Sequence, residues 1–120
     1  MHSEKIIRLA GDWAPCSRKA SKISIQYPLV VNIEAPVFSG SQGQYPKSLK
    51  AGPVLSSQQL PSAIQPGIAV LANNHMMDFG KDGLSATKDL LQKSGWLAAG
   101  AGLNKQQAES TIIFDWAGRK

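Results

Sequence analysis

The sequence is poor in the residues that build redox centres and zinc clusters. Its 120 residues include one cysteine, Cys16, and two histidines, His2 and His75. A single cysteine cannot form an internal disulfide bond or a zinc site of several thiolates. These counts exclude a disulfide-stabilised scaffold and a zinc finger, and they leave oxygen donors and histidine as the groups for any metal chemistry.

Long hydrophobic runs are also missing. The longest apolar stretches, residues 29–33 and 67–72, are far shorter than the roughly 20 residues that span a bilayer. Residues 1–5 do not begin the basic and then apolar pattern of a signal peptide. We therefore expect no membrane segment in this chain and, by default, a cytoplasmic location.

Basic residues outnumber acidic ones, but their arrangement does not suit nucleic acid. Lys and Arg number 13 against 8 Asp and Glu, which gives a net charge of +5. The basic residues form small clusters, and no aromatic residues interleave with them to stack bases. We expect an ordinary solvated surface and no nucleic-acid partner. The length and a hydrophobic content of 42% suit one globular domain.

Short β-branched runs alternate with helix-like segments, which is typical of an α/β protein with a largely parallel sheet. Strands are predicted at residues 5–10, 29–33, 68–71 and 111–116, with extended structure at 96–99. Helices are predicted at about 56–65 and 81–94 and, after a cap at Asn104, up to about 109. Residues 37–53, rich in Gly, Ser, Gln and Pro, predict a long excursion.

Metal-competent side chains cluster where three predicted strands end. They are Asp12, then Asn32 and Glu34, then Asn73, Asn74 and His75. In parallel α/β sheets, ligand sites lie beyond the carboxyl ends of the strands, so these groups can converge. Oxygen donors and a histidine suit Mg, Mn, Fe or Zn, and two such ions can clamp a phosphoryl group.

Each member of this cluster also has a structural interpretation. An aspartate after a strand often caps a turn or a helix. Asn32 lies inside its strand, where it can serve only to satisfy neighbouring backbone groups. The Asn-Asn-His segment can be a polar turn, and His75 can be a structural histidine bonded to the backbone.

Several motifs together resemble the bacterial capsule-synthesis CapA family, named for poly-gamma-glutamate capsules. They are Asn-Ile-Glu-Ala-Pro at 32–36, Leu-Ala-Asn-Asn-His at 71–75 and Asp-Phe-Gly at 78–80. Gly-Asp at 11–12 and Gly-Ala-Gly at 100–102 extend the match over nearly the whole chain. The Leu-Ala-Asn-Asn-His block followed by Asp-Phe-Gly is the specific part of this resemblance.

The resemblance implies a calcineurin-like metallophosphatase fold, a two-sheet α/β sandwich with divalent metals at the strand ends. Asp12 would then bind the first metal, Glu34 would replace the usual bridging aspartate, and Asn74 would bind the second metal. His75 would be the acid beside the leaving-group oxygen. Asp78 is expected to fix the loop or to cap the following helix, not to bind metal.

The sequence also departs from the pattern of metallophosphatases. Ala14 stands where many of them have a histidine, and no histidine follows His75 to complete the metal site. The resemblance therefore implies that residues 1–120 are the N-terminal half of the domain, with an incomplete sheet and the C-terminal half absent. We expect an exposed strand edge and apolar face, which favour self-association or pairing with a separate C-terminal half.

Two classes of function stay open. The first is a metal-dependent phosphoric-ester hydrolase of capsule or polyglutamate assembly, with little or no activity in the isolated chain. The second is a non-catalytic module that binds a partner or polymer of the capsule machinery. A phosphoester substrate belongs to the first class and an anionic polymer suits either. The resemblance also makes the cell envelope a possible location.

Overall fold

The computed structural model describes residues 7–13, 29–39, 54–56, 59–60 and 67–115. Within these residues there are six β-strands and two α-helices. The strands are β1 (Arg8–Trp13), β2 (Leu29–Ile33), β3 (Val37–Phe38), β4 (Leu55–Ser56), β5 (Ile68–Val70) and β6 (Leu97–Ala99). The helices are α1 (Gly80–Lys93) and α2 (Lys105–Ala108).

Four of the strands form one parallel sheet in the order β1-β2-β5-β6. Strands β3 and β4 form a separate parallel pair. Because every pairing is parallel, β1, β2 and β5 all direct their carboxyl ends toward one edge of the sheet. The expected α/β class with a parallel sheet is confirmed, while the calcineurin-like sandwich stays a prediction.

The core lies between this sheet and α1. Leu29, Val31 and Ile33 alternate with partly exposed residues along β2 and are buried, as expected for a strand with one face turned to a core. Leu84 and Leu91 lie one above the other at helical spacing on the buried face of α1. Burial of these side chains fixes the sheet and the helix relative to each other.

A buried hydroxyl joins α1 to the strand β3. Thr87 is fully buried, and its Oγ1 accepts a hydrogen bond from the backbone N–H of Val37 at 3.0 Å. The same hydroxyl donates to the carbonyl oxygen of Gly83 at 2.8 Å. The helix thus satisfies a backbone donor of β3 that would otherwise be buried without an acceptor.

The predicted helix at 81–94 is confirmed with small shifts, since α1 spans Gly80–Lys93 and the positive φ of Gly95 follows its last turn. The predicted cap at Asn104 is also confirmed, because its Oδ1 accepts from the N–H of Gln107 at 2.9 Å. The alternative prediction that Asp78 caps α1 is wrong. The N-cap residue is Phe79, and it makes no side-chain capping bond.

Three other predicted elements differ from the structure. Strand β1 continues to Trp13, so Asp12 lies inside the strand and not after it. The strand expected at 111–116 is wrong for the described residues 111–115, which form no strand. Ile113 is 73% exposed and Ile112 and Phe114 are only partly buried, so no fully buried face stabilises an extended pairing there. The helix predicted at about 56–65 does not begin at Ser56, because Leu55–Ser56 form β4.

The long β1 is held at its end by an aromatic anchor. The indole Nε1 of Trp13 donates to the carbonyl oxygen of Gln59 at 2.7 Å, and its ring packs against the core. Residues 57–58 and 61–65 of the helix predicted at about 56–65, and residues 40–53 of the predicted excursion, lie outside the described residues.

Strand β1 is the exposed end of the described sheet. Five of its six residues are exposed, and the side chain of Leu9 is 80% exposed. The expected exposed strand edge is therefore present within the described part of the chain. No helix there has both the length and the apolar character needed to cross a membrane.

Candidate functional site

Three side chains form a hydrogen-bonded row across the carboxyl ends of β1, β2 and β5. Asp12 and Asn32 are direct neighbours in the β1–β2 register, and Asn32 Nδ2 donates to Asp12 Oδ1 at 2.6 Å. On its other side, Asn32 Oδ1 accepts from Asn73 Nδ2 at 3.2 Å. The convergence expected from the sequence is thus confirmed for Asp12, Asn32 and Asn73.

Asn73 connects this row to the loop after β5. Its Nδ2 also donates to the carbonyl oxygen of Ile33 at 2.8 Å, and its Oδ1 accepts from the backbone N–H of His75 at 3.1 Å. Both N–H groups of this carboxamide, and one acceptor position of its oxygen, are used within the protein itself. The sequence placed Asn73 in the polar cluster but gave no sign that it fixes the loop.

The side chain of His75 is oriented by a carboxylate three residues later. Its Nδ1 lies 2.9 Å from Oδ2 of Asp78, and the side chains are 29% and 8% exposed, respectively. Because a carboxylate accepts hydrogen bonds, this contact places a proton on Nδ1. Nε2 is then left for a ligand. Asp78 fixes the loop as expected, and it does so by holding His75.

Glu34 and Asn74 lie beside the row without joining it. The backbone N–H of Glu34 donates to the carbonyl oxygen of Trp13 at 3.2 Å, so Glu34 follows β2 at the level where β1 ends. Asn74 is exposed and directly follows Asn73. Within the described part of the chain, neither side chain makes a hydrogen bond, so their oxygens are available to a ligand.

The donor chemistry of these residues suits a hard divalent cation, but their number is small. Asp12, Glu34 and Asn74 offer carboxylate and carboxamide oxygens of the kind that Mg²⁺ and Mn²⁺ take. Among the residues that the structure describes, no three His, Cys, Asp or Glu come together as a group able to hold a metal ion. The described residues therefore supply at most part of a metal site.

The fold and the site define an α/β protein whose polar cluster lies at the carboxyl edge of a parallel sheet. The family model for the bacterial capsule synthesis protein PGA_cap matches residues 11–120. The chain therefore belongs to the bacterial capsule synthesis protein family, which confirms the resemblance found in its motifs. Neither the comparison with curated proteins nor that with solved structures gives a significant match.

Proposed function

We propose that this protein acts in capsule or poly-gamma-glutamate biosynthesis through a metal-dependent phosphoric-ester hydrolase site at the carboxyl edge of its sheet. Its family membership supports the capsule part of this proposal. The contact between His75 and Asp78 is the observation that carries the hydrolase part. A half-buried histidine with one ring nitrogen held by a nearly buried carboxylate is the arrangement of an oriented acid–base group.

In this proposal Asp12, Glu34 and Asn74 would hold divalent metal ions, with Asp12 at the first ion and Asn74 at the second, and Mn, Fe, Zn and Mg are the candidates. Such an ion would supply a Lewis acid for a phosphoryl oxygen. Asn32 holds one oxygen of Asp12, which leaves the second oxygen of that carboxylate to face a ligand. Glu34 and Asn74 have no competing hydrogen bond to any described residue, and this availability supports their assignment.

His75 is the proposed proton donor to the leaving-group oxygen. In the doubly protonated ring Asp78 accepts from the N–H at Nδ1, so Nε2 carries the proton that is transferred. When the proton has left, the ring stays in place because Nδ1 still donates to Asp78. The described residues contribute only three proposed metal ligands, so we expect the 120-residue polypeptide alone to have little or no hydrolase activity.

Metal binding is the first test. We expect Mn²⁺ titrated into the metal-stripped 120-residue chain to bind in calorimetry, and Asp12→Asn to weaken binding by about tenfold or more. Asp89→Asn is the matched control, since Asp89 is an exposed acidic residue on α1. Equal Mn²⁺ affinity in the two variants, or no binding to the unmodified chain, would contradict the proposed ligands.

A non-catalytic polymer- or partner-binding role is the second candidate. The net charge of +5 and the lack of a group of three acidic, histidine or cysteine ligands among the described residues favour it. Binding of fluorescent poly-glutamate, measured beside hydrolysis of an aryl phosphate with Mn²⁺, separates the two roles. Polymer binding that is unchanged by Asp12→Asn and by His75→Gln would support this second role.

A further inference from the structure

A pocket of about 430 Å³ opens beside the loop that carries the candidate site. Its apolar lining includes Leu71, Met76 and Leu84, which are each about 1% exposed and belong to the core. This volume lies within the roughly 300–1,000 Å³ of small-molecule sites. The pocket is therefore large enough for a small organic group, and its floor consists of well-packed core side chains.

The turn at residues 100–102 also lines the pocket, as a wall whose position is fixed by packing and by a hydrogen bond. Gly100 has φ +85°, and a Cβ placed there would lie 3.0 Å from the Cβ of Ala72. The ammonium of Lys88 donates to the carbonyl oxygen of Ala101 at 3.2 Å. These contacts hold the wall in place before any ligand arrives.

None of the described residues that line the pocket has a charged side chain. Lys88, which ties the wall, does not line the pocket, and its ammonium is already engaged. An ionised group that entered the pocket would lose hydration without meeting an opposite charge, which is costly. The pocket therefore suits an uncharged group and disfavours the carboxylates of an acidic polymer.

Two carboxamides give the pocket its polar end. Asn73 lines it, but both of its N–H groups donate within the protein, to Asn32 and Ile33, and its oxygen accepts from the N–H of His75. Asn74 also lines it and makes no hydrogen bond within the described part of the chain. A free carboxamide offers a donor and an acceptor side by side, which an amide of a ligand can match with an acceptor and a donor.

We propose that this pocket is a binding site for an uncharged, largely apolar group that carries an amide, with Asn74 as its hydrogen-bonding partner. Asn74 belongs also to the proposed hydrolase site, where its Oδ1 would hold a metal ion. In the metal-loaded protein its Nδ2 would therefore be the atom left to the ligand's amide, and the group would be the uncharged part of that site's substrate. Only this last step rests on the proposed function. The chemistry of binding rests on the lining itself.

Benzamide and benzoate are suitable probes because they share a shape and differ in charge. They are titrated into the ¹⁵N-labelled, metal-free chain, and backbone amide signals are followed by NMR. We expect benzamide to shift the signals of residues 71–74 and 100–102 with millimolar affinity, and benzoate to bind about tenfold more weakly or not at all. Equal or tighter binding of benzoate, or shifts elsewhere, would overturn the proposal.

Variants locate the binding and identify the amide partner. Ala108→Phe should fill the pocket and abolish the benzamide shifts, whereas Gln106→Phe, an exposed non-lining change on the same helix, should preserve them. If Ala108→Phe disturbs the fold, Met77→Glu at the half-exposed rim should also weaken binding. Asn74→Leu should weaken benzamide at least severalfold, and an unchanged affinity would refute the amide assignment. No metal is present, so failure here is distinct from failure of the hydrolase proposal.

Discussion

Adjacent asparagines allow the structural and ligand-binding roles of the loop after β5 to be separated by one pair of substitutions. Asn73→Asp keeps the oxygen that accepts from the N–H of His75, but it removes both Nδ2 donations, to Ile33 and to Asn32. Asn74→Asp makes the same change of atoms and charge at a side chain without a hydrogen bond to any described residue. The pair is therefore matched in the change of atoms and charge, and it differs in the network and in exposure, since Asn73 is partly buried and Asn74 is exposed.

The expected cost follows from the bonds that are lost. Ile33 is fully buried, so leaving its carbonyl oxygen without the donor from Asn73 costs about 1–3 kcal/mol. Loss of the second, more exposed bond, to Asn32, adds about 0.5–1.5 kcal/mol. We expect Asn73→Asp to lower the free energy of unfolding by about 1.5–4.5 kcal/mol in total. Asn74→Asp should change it by less than about 0.5 kcal/mol.

Urea unfolding at pH 7, followed by circular dichroism, measures both variants against the unmodified chain. If the slope of the free energy of unfolding against urea concentration is unchanged, the substitution has altered stability alone. The reasoning fails if Asn73→Asp and Asn74→Asp are equally stable, because the network would then contribute nothing. It also fails if Asn74→Asp is the more damaging change.

Three further predictions concern the rest of the fold. Thr87→Val should lower the free energy of unfolding in urea by about 1–3 kcal/mol, because it leaves a buried backbone N–H of β3 without its acceptor. Thr87→Ser keeps the hydroxyl and should lower it by only about 1 kcal/mol; a larger loss for Thr87→Ser than for Thr87→Val would contradict this role. Gly100→Ala should lower the free energy of unfolding by about 1–2 kcal/mol, because the backbone at Gly100 is left-handed. Gly11→Ala should leave it nearly unchanged in the same measurement, because a Cβ at Gly11 would meet open space. Leu9→Lys should reduce any self-association through β1 in sedimentation velocity, while Leu103→Lys, at another exposed site, should not.

Much of the fold could be predicted because its signals are local. The apolar face of α1 recurs at helical spacing, and the alternation along β2 marks a strand with one buried face. The parallel sheet followed from the alternation of strands and helices. The end of β1 was misplaced because Trp13 is held by the distant carbonyl oxygen of Gln59, and a contact over such a separation leaves no periodic signal.

The site was predicted as a set of residue types, not as a set of contacts. Strand order brought Asp12, Asn32 and Asn73 together, as the rule for carboxyl ends of parallel strands implied. The roles within the set depend on side-chain geometry. Nothing in the string Asn-Asn-His distinguishes the asparagine that fixes the loop from the one that stays free.

That distinction bears on both open functions. Because Asn73 uses both of its N–H groups and its oxygen within the protein, it holds the loop whether or not a ligand is bound. The side chains of Asn74 and Glu34 make no hydrogen bond to any described residue, and the nearly buried carboxylate of Asp78 is used to orient one histidine. A loop that served only to turn the chain would need the contacts of Asn73 and no others. The free oxygens and the oriented imidazole at one sheet edge are therefore the features that a ligand, in either proposed role, would explain.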